Sequence, residues 1–287
     1  MTAQQVIVIT GGTGGMGLAT ATQLAAEKYR VLLTDIDTQR IDDTVKQLRQ
    51  QGFTVEGIAC DVTDKQAVAQ LATYATSLGR VKSVVHAAGV SPQMGDASFI
   101  IGVNAIGTIN IAEEFLRVAT PGFSLINVAS IAGHMVPRAM QPTRLFKRAL
   151  QDPQIFHKKL VARTRFMPRA MRAGQAYSLS KSFVIWYSAK IAAQYGAKGA
   201  RVVSVSPGTF DTAMGRLEEK SGSAQLIEHA VLHRYGKPGE VAELLAFLAQ
   251  GKAFYVTGTD ILIDGGTKAG LSLSALWQMT KSSLRHG

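Results

Sequence analysis

Residues 6–9 read Val-Ile-Val-Ile, with a glycine-rich stretch directly behind them and a helical pattern after that. A β-branched run without polar alternation suits a strand buried on both faces, and such strands belong to parallel sheets covered by helices on each side. The pattern repeats. Further strands are expected at 30–34, 55–59, 83–86, 124–128, 201–205 and 259–263, with helices at 16–29, 38–51, 64–78, 103–119, 177–195 and 238–250. Strands and helices alternating on this scale predict an α/β architecture built on a doubly wound parallel sheet. The 287 residues contain no fixed-period repeat and no Pro/Ser-rich linker, so a single domain over 1–287 is expected.

Composition removes other classes. With 46% hydrophobic and 18% charged residues, the chain is neither disordered nor a coiled coil. The single cysteine, Cys60, excludes an internal disulfide and a multi-cysteine metal site, and reads as a small buried apolar residue. The first ten residues lack a basic leader, and no apolar run approaches the ~20 residues of a membrane span, so a cytoplasmic location is expected. Net charge is +11, which raises nucleic acid or an anionic membrane as partners. That charge is concentrated. Residues 134–173 hold ten Lys and Arg against Asp152 alone, a net +9, and leave only +2 for the rest.

The glycine-rich stretch is Thr10-Gly11-Gly12-Thr13-Gly14-Gly15-Met16-Gly17, set between a buried strand and a helix. Glycines there permit a tight turn and let backbone N–H groups approach a pyrophosphate, whose charge also suits the helix N-terminus. As a bare cluster it would read equally well as an ordinary loop. Its context decides otherwise: Asp35 ends the second strand, where a Rossmann dinucleotide fold expects an acid that hydrogen-bonds the adenosine ribose hydroxyls. The same carboxylate would repel a 2′-phosphate. Neither the glycine loop nor Ile36-Asp37 supplies an Arg for that phosphate, so the cofactor is read as NAD.

Tyr177 and Lys181 stand four apart at the start of a predicted helix, on one face. A free tyrosine, with a pKa of ~10, is a poor base, but a nearby ammonium stabilises the phenolate and makes a proton shuttle. Alone, such a pair also occurs by chance on helix surfaces.

Together these motifs make the chain resemble a short-chain dehydrogenase/reductase over residues 5–267, with hydroxysteroid dehydrogenases as the suggested subtype. The family's TGxxxGxG is matched by Thr10, Gly11, Gly15 and Gly17, and its YxxxK by Tyr177 and Lys181. The resemblance places Thr13 and Met16 at the cofactor within the glycine loop, and Asp61 with Val62 beside the adenine. The family's NNAG appears as His86-Ala87-Ala88-Gly89, a departure that leaves Gly89 a firmer cofactor contact than Ala87. Pro207, Gly208, Phe210 and Thr212 correspond to the stretch on the nicotinamide side. Asn104 and Ser130 match the catalytic asparagine and serine. The implied chemistry interconverts a secondary alcohol and a ketone by hydride transfer. Ser130 bonds the substrate oxygen, Tyr177 acts as acid or base, Lys181 holds Tyr177 and the ribose, and Asn104 supports a water-linked proton path. Among the other histidines, His134, His157 and His233 form no metal-ligand grouping, and no metal is assigned; His134 either lines the substrate pocket or is a solvated loop residue.

Ser130 and Tyr177 are separated by 46 residues, much more than the family needs, and the basic segment 134–173 fills that gap. Leu145, Phe146, Ala149 and Leu150 share one helical face, and Asp152-Pro153 starts a second helix carrying Ile155, Phe156, Leu160 and Val161. Three readings compete: a lid whose apolar side, Phe166 included, closes over a large apolar, steroid-like substrate; an anionic membrane or nucleic-acid surface; and a subunit contact. The lid is preferred, and a nucleic-acid partner is not expected because no recognised binding domain or regular aromatic interleaving is present. A non-catalytic dinucleotide-binding regulator is the rival to an enzyme, and the intact Ser130, Tyr177 and Lys181 argue against it. The resemblance also implies a homo-oligomer, a dimer or homotetramer, for which Phe183, Trp186 and Tyr187 and the extension 268–287, with Leu271, Leu273, Leu276 and Trp277, are candidate contacts, intrachain core being the alternative reading of the aromatics.

Overall fold

A computed structural model describes residues 4–218 and 224–271. Seven strands, β1 (Gln5–Thr10), β2 (Arg30–Asp35), β3 (Val55–Ala59), β4 (Arg80–His86), β5 (Ser124–Val128), β6 (Arg201–Pro207) and β7 (Asp260–Ile263), form one parallel sheet in the order β3-β2-β1-β4-β5-β6-β7. This is the doubly wound α/β sheet that the apolar strand runs predict. The order reverses between β1 and β4, which opens a crevice beyond their C-terminal ends, where open α/β sheets bind ligands. A polar row crosses the sheet near those ends: Thr10, His86, Asn127, Ser204 and Asp260 are in register from β1 through β4, β5 and β6 to β7.

Helices α1 (Gly15–Ala26), α2 (Thr38–Gln50) and α3 (Lys65–Leu78) connect the first four strands. The first ends earlier than its sequence pattern, because Lys28 takes a left-handed φ of 66° and turns the chain into β2. The fourth helical stretch is three pieces, α4 (Ala97–Ile101), one π-helical turn Gly102–Ile106, and α5 (Gly107–Val118). Together they are long and apolar enough to cross a membrane, and 72% of that window is buried inside the protein. Short α6 (Ile131–His134) follows β5, and α7 (Thr143–Arg148) and α8 (Pro153–Thr164) make up the insertion. After them come α9 (Arg172–Gly196), α10 (Ala213–Glu218), α11 (Ala224–His229), α12 (Pro238–Ala249) and α13 (Thr267–Gly270).

The insertion is helical where expected, and Asp152 caps α8 by accepting a hydrogen bond from the Ile155 N–H at 2.8 Å, with Pro153 in the first turn. Its packing differs from a lid. Phe146 and Phe156 are fully buried, with ring centroids 5.4 and 4.5 Å from Phe183 on α9, and Leu160 and Ala149 join the same core. Leu150, Ile155 and Phe166 point the other way and are exposed, so the apolar set is divided between core and surface. Phe183 stacks at 5.2 Å on Tyr187, and both are buried within the chain. These two aromatics of α9 are therefore intrachain core, which corrects their reading as a subunit contact. Leu271 is half-buried, while Leu273, Leu276 and Trp277 lie outside the described residues.

One buried charged residue braces the frame. Arg201 on β6, almost wholly enclosed, donates to Ser124 Oγ and to the carbonyls of Leu248, Lys252, Ala253 and Val256, tying α12 to the sheet. Cys60 is buried as expected, and burial, with Asp61 and Asp64 nearby, pushes its thiol up to about 11.

Candidate active site

The glycine loop is shaped by what cannot fit there. Gly11 has a left-handed φ of 63°, and a Cβ on it would lie 2.8 Å from the Ala88 nitrogen across the crevice. A Cβ on Gly17 would strike the Gly11 carbonyl, and one on Gly15 would come within 2.8 Å of Thr212 Cγ2. The loop after β1 thus meets the backbone of the loop after β4 and the Thr212 side chain of the loop after β6 around one groove. Gly14 precedes α1, whose first N–H groups face that groove without a side-chain cap. Such a cradle fits the pyrophosphate of a dinucleotide.

Thr13 and Asp35 come together as the spacing predicts: Thr13 Oγ1 donates to Asp35 Oδ2 at 2.5 Å, and the Ile36 N–H donates to Oδ1 at 2.8 Å. One residue at this end was missed by the sequence reading. Arg40, within α2, donates from Nη2 to the Thr13 carbonyl at 3.0 Å, so a guanidinium does stand beside the acid. Only its helical position, close behind Asp35, hinted at this. Asp61 is exposed beyond β3 and accepts hydrogen bonds from Thr63, while Val62 is buried against Gly107. Met16 packs against the core on its own side of the sheet.

The His86-Ala87-Ala88-Gly89 departure has a structural account. Thr10 Oγ1 accepts the Ala88 N–H at 3.1 Å and lies 2.7 Å from His86 Nδ1, so one hydroxyl joins the ring to the turn. Burial, reinforced by Lys181, pushes His86 down to about 3, and the ring is neutral at physiological pH. It holds the Ala88–Gly89 turn through Thr10. Ala87 contributes its N–H to the Thr10 carbonyl at 3.2 Å.

The catalytic candidates converge one strand further along. Lys181, buried on α9, donates to the Val128 carbonyl at 3.0 Å, and its ammonium is 5.9 Å from the centroid of the Tyr177 ring. A Cβ on Gly89 would stand 3.2 Å from Lys181 Nζ and 3.1 Å from Asn104 Oδ1, so the bare backbone at Gly89 keeps the space between them open. Asn104 sits in the π turn. It accepts the Val90 N–H at 2.9 Å and donates to the Val90 carbonyl at 3.0 Å, and its amide lies 3.3 Å from Ser180 Oγ, which donates to the Tyr177 carbonyl. π turns are rare and concentrate at functional sites, and here the turn aims the asparagine at the β4 loop. Ser130 caps α6 by accepting the Ala132 N–H at 3.1 Å, two residues beyond Val128.

On the third loop, a Cβ on Gly208 would crowd Asp264 at 2.7 Å, following Pro207 at the end of β6, and Thr212 is buried against Gly15. The Phe210 ring is buried against Gly236, which leaves its backbone for the ligand contact expected of it. His134 is neither a solvated loop residue nor a loose pocket lining, being hydrogen-bonded to Asp260 at 2.8 Å.

Residues 5–143 match the family model for short chain dehydrogenases, and residues 160–268 match that for enoyl-(acyl carrier protein) reductases. A short-chain dehydrogenase/reductase of Alternaria brassicicola, bsc3, is 30% identical over 274 residues, covering 94% of this chain and 97% of the relative. The chain belongs to the short-chain dehydrogenase/reductase family. A diacetyl reductase ((S)-acetoin forming) of Staphylococcus epidermidis is 26% identical over 283 residues, covering 90% of this chain and 96% of that protein. The fold of levodione reductase superposes with a TM-score of 0.75 at 23% identity, covering 94% of this chain and all of that one. As a family member the protein is an oxidoreductase that binds a nicotinamide dinucleotide. A polyketide ketoreductase crystallised with NADPH has the same fold, with a TM-score of 0.73 at 22% identity, so fold alone does not select between NAD and NADP.

Proposed function

We propose that the protein interconverts an apolar secondary alcohol and its ketone with NAD(H), using Ser130, Tyr177 and Lys181. The observation that carries this reading is the Lys181 ammonium, buried, anchored on the Val128 carbonyl and 5.9 Å from the Tyr177 ring. A buried cation at that position favours the phenolate and lets Tyr177 release or accept a proton near neutrality. Ser130 donates a hydrogen bond to the substrate oxygen, Tyr177 exchanges the proton with it, and Asn104 holds the Val90 backbone beside them. Bound in the crevice, the dinucleotide supplies or accepts the hydride. Gly11, Gly15 and Gly17 would hold its pyrophosphate and Asp35 its adenosine ribose.

Support for an apolar substrate comes from Met94 and Leu217. Both are exposed, on the turn that follows the Gly89 loop and on α10, which pack against each other at the edge of the crevice. A steroid-sized ketone is the upper end of this class, and diacetyl, suggested by the Staphylococcus relative, the lower. NAD preference rests on Asp35, whose carboxylate would repel a 2′-phosphate, while Arg40 is engaged on the neighbouring Thr13 carbonyl. It is expected to be at least tenfold, ~1.4 kcal/mol, in a titration of both cofactors. Equal or tighter NADP(H) binding would overturn it. Loss of NADH absorbance with a panel running from diacetyl to a steroid ketone tests the reaction. Tyr177→Phe should remove most turnover while NADH affinity stays near wild type, and wild-type turnover in that variant would move the proton chemistry to another group. A cytoplasmic homo-oligomer, joined through faces other than the enclosed Phe183 and Tyr187, completes the proposal; light scattering at the 30.7 kDa of one chain would contradict the association.

A further inference from the structure

We infer that His134 and Asp260 are a positioning pair for Ser130, and that the same Asp260 carboxylate braces the loop on the nicotinamide side. This inference rests on the oxidoreductase reading above for the chemistry it serves, and on geometry for the pair itself.

Helix α6 is a single turn. Ser130 caps its start and His134 is its last residue, with the Gly133 N–H on the Ser130 carbonyl at 2.9 Å. A turn this short has no stability of its own, so its position is set by what grips it. One grip is α9: a Cβ on Gly133 would lie 2.9 Å from the Lys181 carbonyl, leaving no room to slide in that direction. The other is His134, whose Nε2 lies 2.8 Å from Asp260 Oδ2 on β7, with both side chains largely shielded from solvent. Remove the second grip and the far end of the turn that begins at Ser130 is registered by the Lys181 side alone, its start still tied by the Ala129 N–H to the Val205 carbonyl.

Asp260 is itself fixed. Its Oδ1 accepts from Ser204 Oγ at 2.5 Å and from Ser206 Oγ at 3.0 Å, both on β6. Ser206 directly precedes Pro207 and Gly208, so one carboxylate ties the serine turn to the strand end from which the nicotinamide-side loop leaves. The ring's protonation follows from its neighbours. A carboxylate only accepts, so Nε2 carries the proton; Lys268 Nζ lies 3.2 Å from Nδ1 and only donates, so Nδ1 accepts. Asp260 and Lys268 are the charged groups hydrogen-bonded to this ring, and together they set Nε2 as its donor and Nδ1 as its acceptor.

Glutamine reproduces both contacts, since its amide donates from nitrogen and accepts at oxygen. With the panel ketone that the wild-type enzyme reduces fastest, His134→Leu should lower kcat about tenfold or more, with KM and NADH affinity nearly unchanged, while His134→Gln recovers most of the loss. Asp260→Ala should lower kcat similarly, and the His134→Leu/Asp260→Ala double variant should be little worse than either, as two members of one contact require. A bond that only stabilises the fold would lower the melting midpoint of His134→Leu and leave kcat of the folded enzyme intact, which would overturn the inference. So would a Gln variant as slow as Leu, or additive losses in the double variant. Nitrogen-15 NMR of the His134 ring reads the pair without turnover: Nε2–H is expected, and Nδ1–H or a mixture would overturn the inference. If wild type reduces no ketone while the ring shows Nε2–H, the reaction reading fails and the pair stands only as a structural tie.

Discussion

The glycine loop and the basic insertion both border the active site, and they use sequence in opposite ways. At residues 10–17 the informative residues have no side chains. Gly11 faces the Ala88 backbone, Gly17 the Gly11 carbonyl and Gly15 the Thr212 side chain, so each glycine records an approach that a Cβ would block. In the insertion the side chains carry the information, and they divide it. Phe146, Phe156 and Leu160 are sealed against α9, while nine of the ten cations of 134–173 are exposed. A loop defined by what is missing can be read from spacing alone, whereas an amphipathic helix announces an apolar face without naming the surface that will cover it.

The largest test of this contrast is Phe156→Ala. As a lid residue Phe156 would affect substrate binding. As a core residue wedged on Phe183 it should cost ~3–5 kcal/mol of stability by denaturant titration, the range for an aromatic truncated in a packed interior. NADH affinity of the folded fraction should not change. A stable variant with a raised KM for bulky ketones would restore the lid.

Next in size is Gly17→Ala. The added methyl meets the Gly11 carbonyl, a backbone atom that cannot swing aside, so the turn must open. NADH affinity is expected to fall about a hundredfold, ~2.7 kcal/mol, measured by fluorescence titration. Retained affinity would show that the cradle tolerates deformation and that the glycine spacing is less informative than it looks.

What could be read in advance follows the same division. The inner strands were visible because parallel strands buried on both faces need apolar runs, and Val6–Ile9 is the plainest of these, while the half-buried edge strands β3 and β7 were visible from the alternation with helices. The site residues that depend on local spacing, Gly11 through Gly17 with Asp35, and Tyr177 with Lys181, were visible too. Contacts that join distant segments were not. Nothing near Asp35 announces that Arg40 bends back to Thr13, nothing near His134 names Asp260, and the partner of Phe156 lies on a helix beyond the catalytic tyrosine. Local irregularities were also hidden: the π turn that aims Asn104 and the left-handed Lys28 that shortens α1 have no marked residue pattern.

The smallest expected effect belongs to the charged surface. On α8 the buried residues Phe156, Leu160 and Thr164 recur at every fourth position, and Lys158, Lys159 and Arg163 lie on the exposed side. Lys158→Glu with Lys159→Glu therefore alters no packed contact and changes the segment's charge from +9 to +5. Exposed charges at this distance from the crevice are screened over ~8–10 Å in physiological salt, so turnover, NADH affinity and melting midpoint should all stay at wild-type values. A change in kcat or KM would mean that the surface guards the substrate entrance after all. Unchanged kinetics together with weakened binding to anionic lipid vesicles or RNA at low salt would instead give the cations a role separate from the chemistry. The insertion would then have two independent faces, one that completes the core and one that meets a partner.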